Sequence, residues 1–183
     1  MTLKINYPAK FLNSSYKNIA FFLKKETKIS ELAKIIGDKS ISSTINKLIK
    51  NENFTKKKFI TSIDKNIDKK IIFIWIDKNF SSHEIENLGA KFFDFLKNNS
   101  IEDVAIFGSS LNSKNYKLEE FIHGMQLKSY SFNIYKSSKQ EKKIFKISVF
   151  QKSNDKKLKN KLNAILEGTN FTRDLVSEPG NVL

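Results

Sequence analysis

The sequence lacks cysteine altogether, and it contains only two prolines and six glycines. Without cysteine the chain can form neither a disulfide nor a thiolate metal site, which suits a reducing compartment, and we expect a cytoplasmic location. The residues that follow Met1 include no apolar stretch typical of a secretory signal. Since a run of about 18 apolar residues, the mark of a transmembrane helix, is also missing, we expect no membrane partner.

Arginine is almost absent too, although the chain is strongly basic. The formal net charge is +14, yet Arg173 is the one arginine among 33 basic residues. Base-specific recognition relies on bidentate arginine, whereas lysine acts as a mobile point charge. The charge therefore predicts a solvated surface, with at most weak, nonspecific and salt-sensitive attraction to nucleic acid.

What the sequence does contain is enough apolar material for a core. Apolar residues make up 39% of the 183 residues, and 16 of them are phenylalanine. Apolar runs and alternation predict six strands: Thr2–Tyr7, Ile19–Leu23, Lys58–Ile63, Ile71–Ile76, Val104–Phe107 and Ile144–Phe150. Helical spacing predicts helices at Ile29–Ile36, Ser40–Lys50 and Tyr116–Leu127, besides the two described next.

The clearest helix begins after Ser81. Ser81 and Glu84 have the spacing of a capping box, and an apolar stripe follows them. Together with the strands Ile71–Ile76 and Val104–Phe107 this helix predicts a βαβ unit with a right-handed crossover. The uninterrupted apolar run Ile71–Ile76 is typical of a strand buried on both faces, whereas the alternation in Ile144–Phe150 suggests a strand nearer an edge. The fold class is therefore α/β, a mostly parallel or mixed sheet flanked by helices.

A long helix is predicted from Asp155 to about Ser177, ended by Pro179. One face carries the apolar and small side chains Leu158, Leu162, Ile165, Thr169, Thr172 and Val176. Gly168 costs such a helix about 1 kcal/mol relative to alanine, a cost that close approach of another backbone would explain. We expect a connecting helix that presents apolar surface to a neighbouring domain.

Two segments carry distinctive motifs, FIHGMQLKSYSFNIYK at Phe121–Lys136 and NAILEGTNFTRDLVSEPGNVL at Asn163–Leu183. The first is similar to the pattern E-G-x-x-L-x-x-Y-x-F-x-x-Y-K and the second to A-x-x-x-G-x-x-x-A-R-D-L-x-N-x-P-x-N. Both patterns are those of leucyl aminopeptidases of the M17 family (cytosol aminopeptidases), which the sequence therefore resembles. The matching positions that we select as candidate structural and interdomain residues are Gly124, Tyr130, Phe132, Tyr135, Lys136, Gly168, Arg173, Asp174, Leu175, Pro179 and Asn181.

The resemblance implies a macro-like N-terminal domain over residues 1–152 and an interdomain linker helix with the start of the junction over 153–183. In that family, two divalent metals, Zn or Mn, in a separate peptidase domain activate water against an N-terminal peptide bond. The family's metal motifs, similar to N-T-D-A-E-G-R and K-G-x-x-x-D-[ST]-G-G, do not occur in this sequence. We therefore assign it no catalytic residue, metal ligand or cofactor. The implied role is to scaffold the peptidase domain and assist a hexameric assembly, with the chain ending before the catalytic domain.

The residues leave two other functions open. A macro-like fold suggests a stand-alone module for a nucleotide or ADP-ribose, although such sites use glycine-rich loops and the glycines here are not clustered. The charge suggests a nonspecific nucleic-acid binder. His83 and His123 lack carboxylates at metal-motif spacing, and we expect both at the surface or partly buried. Ser109 and Ser110 form at most a weak phosphate-binding pattern.

A structural role is expected for the remaining candidates. Arg173 and Asp174 are adjacent on one helix, so we expect them to point to different faces and to anchor the helix to the next domain. Tyr130, Phe132 and Tyr135 are expected to fill the interface between sheet and helix.

Overall fold

The computed structural model describes residues 2–11, 15–36, 41–58, 60–66, 69–108, 111, 117–132, 135, 143–151 and 155–179. The strands of this part of the chain are β1 Thr2–Asn6, β2 Asn18–Leu23, β3 Ile60–Asn66, β4 Lys69–Trp75, β5 Asp103–Phe107 and β6 Ile144–Phe150. The helices are α1 Ile29–Ile36, α2 Ile41–Lys50, α3 Ser82–Asn98, α4 Leu118–Ser129 and α5 Lys156–Ser177, with a π-helical turn at Asn53–Lys58.

The six strands form one mixed sheet in the order β1-β6-β5-β2-β4-β3. Each neighbouring pair is parallel except β3 and β4, which are antiparallel. The predicted α/β class with a mixed sheet is thus confirmed. The predicted βαβ unit is present, since β4 and β5 are parallel and α3 joins them, but β2 lies between these strands and pairs with both. A pattern of apolar residues identifies strands but does not say which strands pair.

Helices cover both faces of the sheet, and the central strands alternate between them. Along β2, Ala20 and Phe22 belong to the core cluster shared with α3 and α4, whereas Phe21 and Leu23 belong to the cluster shared with α1 and α2. Successive side chains of a strand point to opposite faces, so a strand between two helical layers must be apolar at every position. This explains the uninterrupted apolar run in β4.

Strand β6 is the second strand from one edge of the sheet, which agrees with the expectation of a strand nearer an edge. It lies between β1 and β5 and is parallel to both. Only its beginning alternates between exposed and buried positions, because Ser148 and Phe150 are buried together with Val149. The edge position belongs to β1.

Helices α3 and α4 pack in unusually close contact through two glycines. A Cβ atom at Gly89 would lie 1.9 Å from the carbonyl oxygen of Phe121, and a Cβ at Gly124 would lie 1.9 Å from that of Glu86. The backbones of α3 and α4 therefore touch at these two glycines, where no side chain intervenes.

The predicted capping box of α3 is present, since Ser81 accepts from the backbone of Glu84 and the Glu84 side chain accepts from Ser81 N–H.

His123 is buried in the contact between α3 and α4, so the expectation of a surface or partly buried side chain was wrong. Its Nδ1 lies 2.7 Å from Glu86 Oε2, across the same α3–α4 interface. A buried imidazole needs such a partner, and helical periodicity alone gave no sign of one on α3.

Candidate interdomain surface

Helix α5 lies on the outside of the domain, and one of its sides is exposed to solvent. It begins at its N-cap Asp155, whose side chain accepts from Leu158 N–H, and it ends before Glu178. All 22 residues of α5 are described, and none of them is buried. Phe171 and Val176 keep 64% and 82% of their surface exposed, and Ile165 and Leu175 are exposed as well.

These exposed apolar residues fall on one arc of the helix. At about 100° per residue, Phe171, Leu175, Thr172, Ile165 and Val176 follow one another around less than half of its circumference. Gly168 lies inside the same arc, and an added Cβ there would meet nothing within 4 Å. We call these six residues the apolar arc.

The predicted apolar stripe and the apolar arc overlap only in part. Leu162 turns toward the domain, where it lines a cavity described below. Ile165, Thr172 and Val176 belong to the arc, whereas Phe171 and Leu175 were missing from the predicted stripe. Their spacing of four residues was a signal that could have placed them on one face.

A set of polar contacts fixes the other side of the α5 C-terminal half. The hydroxyl of Tyr130 donates to Asp174 Oδ1 at 2.7 Å, and the guanidinium of Arg173 donates to the carbonyl oxygen of Leu127 at 2.9 Å. Tyr135 donates to the carboxylate of Glu178. We call these contacts the α4–α5 clasp. They hold α5 against the end of α4 and so leave the apolar arc facing outward.

Two expectations about the clasp residues need correction. Arg173 and Asp174 are adjacent but both reach Tyr130, since the Arg173 guanidinium lies 5.3 Å from the centre of the Tyr130 ring. The three aromatic residues do not fill the sheet–helix interface: Tyr130 is half-buried at the surface, and Tyr135 is exposed with its ring 5.9 Å from that of Phe132. Arg173 and Asp174 can both contact Tyr130 because long side chains extend farther around a helix than their Cα positions suggest.

Local electrostatics agree with these hydrogen bonds. Partial burial, followed by the bond to Asp174, raises the pKa of Tyr130. The bond to Glu178 is the main cause that raises the pKa of Tyr135. Each bond thus favours the protonated phenol, which is the form that donates to the carboxylate.

The other selected positions are distributed along the chain. Gly124 lies in the α3–α4 contact rather than at α5. Pro179 is exposed directly after the end of α5, and Glu178 before it has the extended backbone that proline imposes (φ −69°, ψ 139°). Lys136 and Asn181 lie outside the described residues, as do Ser109 and Ser110.

The described part of the chain shows no candidate metal site. It contains no group of three or more His, Asp or Glu side chains that could hold an ion. His83 contacts Asn87 at 3.3 Å and His123 contacts Glu86. Nor is any helix within these residues long and apolar enough to cross a membrane.

At the carboxyl ends of β2 and β5, where open α/β sheets bind ligands, a lysine bridges the two strand ends. Lys24 Nζ donates to the carbonyl oxygen of Leu111 at 3.1 Å, and burial lowers the pKa of its ammonium group.

Strand order, helical layers and the closely packed α3–α4 pair define a macrodomain-like α/β domain. The macrodomain of Mycobacterium tuberculosis DarG superposes with a TM-score of 0.56 and 12% identity, covering 81% of this chain and 98% of that one. A point mutant of tomato leucine aminopeptidase superposes with a TM-score of 0.64 and 11% identity over 100% of this chain and 39% of that chain. At these identities the superpositions show a shared fold.

Family membership follows from the sequence comparison. Residues 19–139 match the model of the cytosol aminopeptidase family, N-terminal domain. The chain belongs to the cytosol aminopeptidase family, as its N-terminal domain. A probable cytosol aminopeptidase of Sulfurihydrogenibium sp. (strain YO3AOP1) is 27% identical over 197 residues, 99% of this chain and 39% of that relative. One of Phytoplasma mali (strain AT) is 34% identical over 89 residues, 44% of this chain and 18% of that relative. The chain spans about two fifths of the first relative's length.

Proposed function

We propose that this domain acts as the non-catalytic scaffold of a metal-dependent leucyl aminopeptidase, and that the apolar arc of α5 is its docking surface for the peptidase domain. The observation that carries the proposal is a 22-residue helix that buries none of its residues in its own domain yet exposes Phe171 and Val176 on one side. Fully burying one such side chain contributes about 1.5–3 kcal/mol. A partner that covers the arc would gain a fraction of that contribution from each of the exposed side chains of Ile165, Phe171, Leu175 and Val176.

Gly168 supports a close approach at this surface. Within this domain nothing lies near enough to require a missing side chain, since the space around its Cβ position is open. The glycine nevertheless costs the helix about 1 kcal/mol relative to alanine. A partner backbone seated against the arc accounts for that cost.

The chemistry of peptide hydrolysis would belong to the peptidase domain. The described residues do not offer the donor set for a pair of divalent metals, Zn or Mn, so no catalytic step is assigned to this chain. Its contribution is structural: the clasp sets the direction of α5, α5 holds the peptidase domain, and the assembled subunits would form the hexamer that the family resemblance implies.

Association with a separately produced peptidase domain of the same organism tests the proposal. We expect the 183-residue chain to form a complex in sedimentation velocity, and the double variant Phe171→Ser, Val176→Ser to lose it while remaining folded. Glu167→Ser, exposed on α5 outside the arc, is the matched control and should bind like the wild type. A stable monomer that associates with no peptidase domain would overturn the docking role but not the family membership.

A further inference from the structure

A cavity of about 200 Å³ lies under the N-terminal half of α5, between that helix, β1 and α4. Leucine and isoleucine side chains of all three elements form its apolar walls. Five polar side chains line it as well: Tyr7, Glu119, Gln126, Lys159 and Asn163. This volume far exceeds the roughly 30 Å³ that one water occupies, yet it is smaller than the roughly 300 Å³ at which pockets for drug-sized ligands begin.

Glu119 is the negative group of this cavity. It is only 6% exposed, and one of its oxygens accepts from the backbone N–H of Asp155 at 3.0 Å. A carboxylate offers two oxygens and about four acceptor positions, and Glu119 lines the cavity in addition to accepting from Asp155. A buried carboxylate also costs free energy unless a cation or donors satisfy it.

Lys159 is the positive group. Its Nζ lies 3.9 Å from the centre of the Tyr7 ring. Burial raises the pKa of the Tyr7 phenol, and the negative charge of Glu119 adds to this effect. The phenol therefore stays neutral beside the carboxylate, and the cavity presents one fixed negative charge, one positive charge and neutral hydrogen-bonding groups around an apolar wall.

We propose that this cavity binds a free aliphatic α-amino acid. The ammonium group of such a zwitterion matches Glu119, its carboxylate matches Lys159, and its side chain matches the leucine and isoleucine walls. Gln126 and Asn163 supply amide groups that can bond either end. A cavity of about 200 Å³ suits a ligand of amino-acid size better than a nucleotide, and the presence of both charges disfavours a simple anion or cation. The site lies on the opposite side of α5 from the apolar arc, so it does not depend on the docking proposal.

Titration of the isotope-labelled 183-residue chain with leucine, followed by NMR, tests this site. We expect saturable shifts of the methyl groups of Ile122 and Leu162. Leucinamide, which lacks the carboxylate, and 4-methylpentanoate, which lacks the ammonium group, should each bind at least about tenfold more weakly, the effect of losing one charge-assisted hydrogen bond.

Charge-removing variants locate the site. Glu119→Gln keeps an acceptor for Asp155 N–H but removes the negative charge, and we expect roughly tenfold or greater loss of leucine affinity. Lys159→Met keeps the aliphatic stem and should lose affinity similarly, whereas Lys157→Met, exposed on the same helix, should not. Absence of saturable shifts in the folded wild type would overturn the proposal, as would equal binding of all three compounds.

Discussion

Gly89 and Gly124 have a hydrogen atom where any other residue has a Cβ. A residue with a Cβ at either position would place it 1.9 Å from a carbonyl oxygen of the opposite helix. No side-chain rearrangement relieves that contact, because the obstacle is backbone. The reciprocal arrangement also brings Glu86 to His123, whose buried ring it satisfies on one side. Residue size at two positions thus sets the spacing of α3 and α4.

Replacing Gly124 by alanine should lower the free energy of unfolding. Overpacking of a core costs about 1–3 kcal/mol, and a clash between backbones belongs at the upper end. The better helix propensity of alanine returns about 1 kcal/mol. The net expectation is a loss of about 2 kcal/mol, measured by urea denaturation. Unchanged stability would mean that the helices separate without cost.

Tyr7 predicts a pH effect at the alkaline end. Burial and then Glu119 raise its folded-state pKa above the ordinary value of 10.0. The folded chain therefore holds this proton more tightly than the unfolded chain, so the stabilisation is complete below about pH 10 and is lost as pH rises through the folded pKa. The contribution of Lys24, whose pKa is lowered, changes in the opposite direction but is common to wild type and variant.

Urea denaturation at increasing pH checks this for Tyr7→Phe. The unfolding free energy of the wild type minus that of the variant should fall above about pH 10. Tyr16→Phe, a half-buried tyrosine on the other face of the sheet, is the control for loss of a hydroxyl. A difference that stays constant with pH would contradict the interpretation.

At the scale of elements, the two halves of α5 make different contacts. Its N-terminal half covers β1 and the cavity, and its C-terminal half is held by the clasp at Tyr130 and Tyr135. An amphipathic helix normally turns its apolar side to the core. The C-terminal half of this helix turns polar side chains toward α4 and exposes Phe171 and Val176, the orientation that the proposed docking to a peptidase domain requires.

The substitution Gly168→Ala should affect the stability of α5 and its association with a peptidase domain in opposite directions. In the isolated chain the substitution should raise the free energy of unfolding by about 0.5–1 kcal/mol, because helix propensity improves and nothing obstructs the methyl group. Association with the peptidase domain should weaken, since the same methyl group would hold the partner backbone away. Denaturation and sedimentation velocity measure the two effects, and improved stability with unchanged association would show that no backbone approaches Gly168.

At the scale of the whole molecule, the domain combines an ordinary macrodomain-like sheet with an excess of positive charge. The +14 charge is carried almost entirely by lysine, so nonspecific binding to nucleic acid stays a hypothesis that predicts strong salt sensitivity. The ADP-ribose hypothesis also stays untested. The division of the chain at residue 152 remains a prediction.

Prediction from sequence succeeded where the determining interactions are local. The capping box at Ser81, the helix Ile29–Ile36 and the helix that begins after Asp155 depend on residues within a few positions of one another. The insertion of β2 between β4 and β5 was missed, because pairing depends on contacts between segments far apart in the chain. Among the candidate site residues, the shared contact of Arg173 and Asp174 with Tyr130 was not predictable, because Tyr130 lies more than 40 residues earlier in the chain.

By itself, the sequence determined the α/β class, most helix boundaries, the family and the presence of a long final helix, since each follows from local periodicity or from a motif. Only the tertiary structure decided which strands pair, that His123 is buried against Glu86, which side of α5 is exposed and where the cavity with Glu119 and Lys159 lies. Those properties depend on side chains that meet from distant segments, and the free energy of packing, rather than local propensity, selects among the possible arrangements.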